Sequence, residues 1–285
     1  MLEWGKRTYV MGIINLTPDS FSGDGTLQKN NPFEFAINQA KQFLHDGADI
    51  LDLGAESSRP GSTPISGEEE LDRLLPVISA LKTEDNNSII SIDTYKPEVA
   101  RQCLKKGAHW INDIWGLKKS PALASIIAEY NAQVILMHNR SKIGAIEHHT
   151  KAGDSYESAD YSNFMEEVKN DLLESAAIAI QAGIDRQNII LDPGIGFGKT
   201  VEQNLQLINH LEEIKSLGYP VLIGPSRKSF IGHVLNAPVD ERLEGTAASL
   251  SVGITHGADI VRVHDVKMMT RIVRMTDALV RGIQK

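Results

Sequence analysis

A single cysteine, Cys103, stands in the 285 residues. No intramolecular disulfide can form, so a reducing compartment is expected. Cys103 lies in the helix-like run Arg101 to Lys106, where a buried, inert thiol is the expectation. Long hydrophobic runs are also lacking. No segment approaches the length needed to cross a bilayer, so no membrane partner is expected. The first residues, Met1 to Arg7, carry neither an apolar signal core nor an arginine-rich leader, which points to the cytoplasm. Positive charge is in short supply too. Lys and Arg number 29 against 37 Asp and Glu, a formal charge of −8. A globally acidic chain does not attract nucleic acid. An anionic substrate would have to be drawn by a local cluster of cations.

What is present is an alternation. Short apolar runs read as strands at Tyr9–Leu16, Asp49–Gly54, Ile89–Asp93, Trp110–Trp115, Gln133–Met137, Asn188–Asp192, Pro220–Gly224 and Asp259–Val263. Amphipathic helical runs lie between them. Leu71, Leu74, Leu75, Ile78 and Leu81 share one helical face, as do Val266, Met269, Ile272, Val273, Thr276, Leu279 and Ile283. Ser66 with Glu69 predicts a capping box. Pro97 and Pro121 suit first-turn positions. Gly47, Gly107, Gly183, Gly218 and Gly257 stand just ahead of strands and read as helix C-caps.

Eight βα units fit a doubly wound sheet or a closed barrel. No G-x-G-x-x-G follows the first strand, as a dinucleotide-binding half would need. Gly194-Ile195-Gly196-Phe197-Gly198-Lys199 follows strand six, with the wrong spacing for that fingerprint or for a P-loop. No linker interrupts the chain. It reads as an α/β protein, one (β/α)8 TIM barrel over residues 1–285. The least regular stretch, Ser141–Tyr161, is long and polar and is expected to be mobile or peripheral. Its His148-His149 pair suggests metal only weakly. Neighbouring side chains on a strand face opposite ways, and a solvated loop is the reading taken.

Barrel enzymes draw their functional residues from the C-terminal ends of strands. Those ends hold Asn15; Glu56, Ser58 and Arg59; Asp93; Asn112; His138; Asp192; Ser226, Arg227 and Lys228; and Arg262 with His264. Any one of them alone could be capping the next helix. Eight such ends on one rim are harder to explain that way. Period-two alternation puts Arg262 and His264 on one face, with Val261 and Val263 towards the helices. Asp93 shares a face with Ser91. Carboxylates in apolar strands are costly to bury without partners, and a ligand rich in N–H donors would supply them. Two long loops, Asn15–Gly25 and Gly54–Pro64, read either as lids or as flexible surface loops.

These residues resemble the dihydropteroate synthase family of pterin-binding enzymes. Asn15-Leu16-Thr17-Pro18-Asp19-Ser20-Phe21-Ser22 is similar to its first signature, and Glu56-Ser57-Ser58-Arg59-Pro60-Gly61 to its second. Ser91-Ile92-Asp93-Thr94, Ile111-Asn112-Asp113, Leu136-Met137-His138, Asp192 to Lys199, Ser226-Arg227-Lys228-Ser229 and Arg262 to Val266 follow in order. The likeness runs from residue 8 to about 270. Ser58 departs from the threonine common in the family but keeps the hydroxyl.

The resemblance implies a transferase of folate biosynthesis and a sulfonamide target. It would join p-aminobenzoate to 6-hydroxymethyl-7,8-dihydropterin pyrophosphate, giving 7,8-dihydropteroate and pyrophosphate. It implies Mg2+ as cofactor, bound by Asn15. Arg262, His264 and Asn15 would attend the leaving group, with Arg59 and Ser58 closing over it. Asp93, Asn112 and Asp192 would hold the pterin N–H groups, and Lys228 a ring acceptor. Phe197 and the stem of Lys228 would flank the p-aminobenzoate ring, with Phe21 and Pro60 as lids. The ring's carboxylate would lie near Ser229 at a helix start. Asp93, Asp192, Lys228, Arg262 and His264 are the candidate catalytic residues. The family is commonly homodimeric, and the apolar last helices would supply a two-fold interface. The nearest alternative is a barrel moving a methyl group from methyltetrahydrofolate to a corrinoid protein. It would share Asp93, Asn112 and Asp192 but has no need of a diphosphate clamp.

Overall fold

The computed structural model describes residues 2–17, 32–58, 61–84, 88–142, 146–148 and 152–283. Eight parallel strands form one sheet. They are β1 (Tyr9–Asn15), β2 (Ile50–Gly54), β3 (Ile89–Asp93), β4 (Trp110–Asp113), β5 (Gln133–Met137), β8 (Ile189–Asp192), β9 (Leu222–Ile223) and β10 (Ile260–Val263). A two-residue antiparallel hairpin, β6 (Ile146–Glu147) with β7 (Ser155–Tyr156), stands apart from them. The sheet order is β8-β5-β4-β3-β2-β1-β10-β9. A bridge between Leu191 and Val221, just ahead of β9, joins the two ends and closes the barrel.

The helices are α1 (Pro32–His45), α2 (Gly67–Glu84), α3 (Pro97–Lys105), α4 (Pro121–Glu129), α5 (Phe164–Gln181), α6 (Val201–Asn209), α7 (Leu211–Lys215), α8 (Ser229–Leu235), α9 (Leu243–Thr255) and α10 (Val266–Arg281). Pro97 and Pro121 open α3 and α4, where a missing N–H costs no helix bond. Gly47, Gly107, Gly183, Gly218 and Gly257 all take positive φ after their helices. The expected capping box is only half made. Ser66 Oγ accepts the Glu69 N–H at 3.1 Å, but the Glu69 carboxylate pairs with Arg73 instead.

The core has two layers. Val10, Leu51, Leu53, Ile90, Ile92, Val261 and Val263 point outward and pack under the helices. Tyr9, Met11, Ile50, Trp110, Ile135, Ile190, Leu222 and Ile260 fill the barrel from inside, with Leu2 and Trp4 packed against them. Two residues further along the same inner face, period-two alternation replaces Ile50 by Asp52, Trp110 by Asn112, Ile190 by Asp192 and Ile260 by Arg262. The apolar plug thus gives way to a polar mouth at the C-terminal end.

Cys103 is fully buried on α3, and burial pushes its thiol up to about 12, as an inert core residue requires. The stripe on α10 buries Val266, Met269, Val273 and Thr276, but its last turn runs off the barrel. Leu279 is 74% exposed, and Ile283, expected on the same stripe, lies past the end of the helix and is 87% exposed. No helix among the described residues is long and apolar enough to cross a membrane.

Candidate functional site

Arg262 organises the mouth. Its Nε donates to Asp52 Oδ2 at 2.6 Å and its Nη2 to Asp93 Oδ2 at 2.8 Å. Asn112 Nδ2 donates to the same Asp52 oxygen at 3.1 Å. Strands β2, β3, β4 and β10 are tied together by these four side chains. Among the described residues, Asp52 Oδ1 has no hydrogen-bond partner, an orphan that marks the cluster as polar beyond its own needs. Burial pushes the Asp93 carboxyl up to about 7; Arg262 pulls it down, while Asp52 pushes it further up.

Asn15, at the end of β1, reaches the same rim. It lies beside Gly54 and Asp93: a Cβ on Gly54 would be in ordinary contact with both, 3.5 Å from Asp93 Cβ and 3.9 Å from the Asn15 amide oxygen. Among the described residues, no group of three or more His, Cys, Asp or Glu could hold a metal alone. A lone amide oxygen beside the mouth fits Mg2+. That ion keeps several waters and binds through one or two protein ligands plus substrate phosphates.

Asp192 ends β8 with its Oδ1 accepting the Gly194 N–H at 2.7 Å, and burial pushes its carboxyl up to about 6. The loop that follows is tightly wound. Gly194 has φ +72°, and a Cβ there would fall 1.9 Å from the His138 carbonyl oxygen, so only glycine fits. Lys199, 6% exposed, turns back into this loop. Its Nζ donates to the carbonyls of Gly194 at 2.8 Å, Phe197 at 3.0 Å and His138 at 3.5 Å. Burial lowers it to about 7. Asn204 completes the knot by accepting the Gly196 N–H at 2.6 Å.

Lys228 follows β9, and burial lowers its amine to about 8. Its Nζ lies 4.0 Å over the Phe197 ring. Ser229 is the first residue of α8, as the sequence predicts, although that helix has only seven residues. Ser226 Oγ accepts the His264 backbone N–H at 3.2 Å and lies 3.0 Å from His264 Nδ1. Burial, helped by Arg262 and Arg227, lowers His264 to about 3. His264 is neutral, so among the described residues the positive charge of the mouth comes from Arg262 and Lys228.

Three strand-end residues face elsewhere. Glu56 braces its own loop, taking Lys96 Nζ at 2.6 Å, Tyr95 OH at 3.0 Å and the Ile65 N–H at 3.1 Å. His138 bonds Asp171 on α5 at 3.1 Å, and burial lowers it to about 4. Arg227 grips Asp265 with Nε at 2.9 Å and Nη2 at 2.6 Å. Arg59, Pro60 and Phe21 lie outside the described residues, as does His149. His148 is exposed and pairs with Asp154 at 2.9 Å. The structure gathers Asn15, Asp93, Asn112, Asp192, Lys228, Arg262 and His264 around one mouth, with Ser58 and Phe197 at its margin.

Sequence reasoning missed Asp52, Lys199 and Tyr156. For Asp52 the signal was available, because a carboxylate between Leu51 and Leu53 repeats the pattern that singled out Asp93 and Asp192. Tyr156 belongs to the stretch expected to be mobile or peripheral. It stacks on Phe197 with ring centroids 5.7 Å apart and donates to the Ser58 carbonyl at 2.9 Å. A separate apolar groove of about 560 Å³ lies outside the barrel between α6, α8 and α9, where Leu205, Val234, Leu235 and Val252 are exposed.

The pterin binding enzyme family model matches residues 11–264. The dihydropteroate synthase of Clostridium beijerinckii is 51% identical over 278 residues, 97% of this chain and 96% of that one. The Bacillus subtilis dihydropteroate synthase is 47% identical over 98% of this chain and 90% of its own. Among solved structures, the Clostridium difficile dihydropteroate synthase in the presence of pteroic acid superposes with a TM-score of 0.88. It shares 46% identity and covers 99% of this chain and all of that one. The Xanthomonas albilineans dihydropteroate synthase with 4-aminobenzoic acid gives 0.86 at 36% identity, over 98% of this chain and 94% of that one.

Proposed function

The chain belongs to the dihydropteroate synthase family of pterin-binding enzymes, and from that premise we propose how its residues divide the reaction. The reaction condenses p-aminobenzoate with 6-hydroxymethyl-7,8-dihydropterin pyrophosphate, releasing pyrophosphate. The carbon–oxygen bond at the pterin methylene breaks, its electron pair leaving with the diphosphate. The aniline nitrogen forms the new bond and then sheds a proton.

Asp192, Asn112 and Asp93 hold the pterin through its amino and ring N–H groups. The observation that carries this assignment is the Asp52–Arg262–Asp93 cluster with Asn112, beside Asp192. In the free protein, burial pushes both Asp93 and Asp192 up, towards protonation. A heterocycle donating N–H bonds, with positive charge building on its methylene, returns them to the ionised form. Lys228 donates to a pterin ring acceptor.

Arg262 steadies the leaving diphosphate with the guanidinium edge that Asp52 and Asp93 leave open, and the neutral His264 imidazole donates beside it. Ser58, at the margin of the mouth, attends the diphosphate. Asn15 would hold Mg2+, which would neutralise diphosphate charge when bound. Phe197 and Lys228, which pack on each other, border the aryl ring, and its carboxylate lies at Ser229. Positioning supplies most of the advantage, since both reactants are held on one rim.

Mixing the protein with both substrates and Mg2+ tests this reading. Equimolar pyrophosphate and dihydropteroate are expected. Methyl transfer from methyltetrahydrofolate without pyrophosphate release would overturn it. We also infer a cytoplasmic homodimer, joined through the apolar groove between α6, α8 and α9. Sedimentation as a monomer at micromolar concentration would reject the dimer.

A further inference from the structure

The stretch between β5 and α5 is anchored at Ala152 and again at Ala159 and Tyr161. Arg242, 3% exposed, donates from Nη2 to the Ala152 carbonyl at 2.7 Å. The Ala159 N–H donates to the Gly198 carbonyl at 3.0 Å, and Tyr161 OH reaches the same oxygen at 3.4 Å. The β6–β7 hairpin, whose second strand lies between these anchors, leans on the loop after β2. A Cβ on Gly61 would lie 3.2 Å from Ile146 Cδ1. Tyr156 OH donates to the Ser58 carbonyl at 2.9 Å. The Tyr156 ring stacks on Phe197, tilted by 26°. One side chain therefore touches the loop after β2 and the loop after β8, from separate parts of the barrel.

We propose that Tyr156 is a specificity-determining residue that walls the aryl-amine subsite, which rests on the assignment of Phe197 to that subsite. A flat ring sandwiched between two others needs roughly 7 Å between their planes, twice an ordinary carbon contact. Tyr156 and Phe197 have centroids 5.7 Å apart, so they pack on each other and leave no such slot. The aryl amine binds against the pair. Tyr156 limits the width of the site on the side of Ser58, and its hydroxyl fixes how far that loop stands from Phe197. An unsubstituted 4-aminobenzoate fits beside this wall, and ring substituents directed at it are excluded.

The test is steady-state kinetics on Tyr156→Ala, Tyr156→Phe and Phe197→Ala. Each variant is assayed with 4-aminobenzoate and with a ring-methylated 4-aminobenzoate. Loss of an aromatic contact is expected to raise the KM for 4-aminobenzoate about tenfold in Tyr156→Ala. Its kcat and its KM for the pterin diphosphate should stay within about twofold of wild type, and relative use of the methylated amine should rise. Tyr156→Phe should recover most of the loss. An unchanged aryl-amine KM in Tyr156→Ala, with a raised one in Phe197→Ala, overturns the proposal alone. An unchanged KM in Phe197→Ala overturns the subsite assignment beneath it. Equal losses in Tyr156→Phe and Tyr156→Ala, or KM values for both substrates rising together, also reject the wall.

Discussion

Replacing Asp93 with asparagine should stabilise the free protein at pH 8 while removing its grip on the pterin. Burial lifts this carboxyl from the usual 3.8 to about 7, even with Arg262 bonded to it. Its side chain is only 14% exposed, so solvent screens little of that cost. Each pKa unit corresponds to 1.36 kcal/mol, which makes the ionised carboxylate cost roughly 4 kcal/mol above pH 7. The sign follows from the folded value lying above the unfolded one. The contribution is fully present below pH 3.8 and is lost as pH rises through about 7. Asparagine keeps an oxygen for Arg262 Nη2 and carries no charge to desolvate. The expected gain is therefore roughly 4 kcal/mol at pH 8, on the order of 8 °C in Tm, shrinking to under about 2 kcal/mol at pH 5. Thermal melts at both pH values, at one scan rate, read the difference, and calorimetry with the pterin reads the lost binding. No gain at pH 8, or the same gain at both pH values, would refute the reasoning.

Asp192→Ala is expected to abolish pterin binding, and wild-type affinity by calorimetry would reject its role. Arg262→Ala should weaken the pterin diphosphate far more than the free pterin; equal losses would remove Arg262 from the leaving-group side. The same variant strands buried Asp52 without its cation, which should cost about 3–5 kcal/mol in denaturant unfolding. Gly194→Ala drives a Cβ into the His138 carbonyl, so poor soluble yield or a Tm lowered by many degrees is expected. A wild-type melt from that variant would show that the loop after β8 has another conformation.

Much of the mouth was legible because it depends on two periodicities. Alternation within strands put Arg262 and Asp93 on the inner face and Val261 and Val263 under the helices, as the structure has them. Helix spacing, with Pro97, Pro121 and the C-cap glycines, fixed where strands stop and therefore which residues crown them. These signals are local and survive without knowledge of neighbours. The resemblance of the motifs then narrowed a polar rim to one chemistry.

Other features depend on contacts between distant segments, and no local pattern encodes those. That Arg262 is shared between Asp52 and Asp93, 210 and 169 residues away, is settled only when the barrel closes. The neutrality of His264 comes from its burial, helped by Arg262 and Arg227, and that burial is not visible in its own motif. Glu56, His138 and Arg227 end strands as the active residues do, yet their partners Lys96, Asp171 and Asp265 draw them into the scaffold. The polar stretch after β5 looked peripheral because its composition is that of a loop, but long-range anchors at Ala152 and Ala159 carry Tyr156 to the mouth. The sequence by itself determined the barrel and the chemical character of its rim, since propensity and periodicity act over a few residues. Which rim groups face a ligand, and in which charge state, was decided by tertiary structure, because burial and pairing are properties of the closed ring.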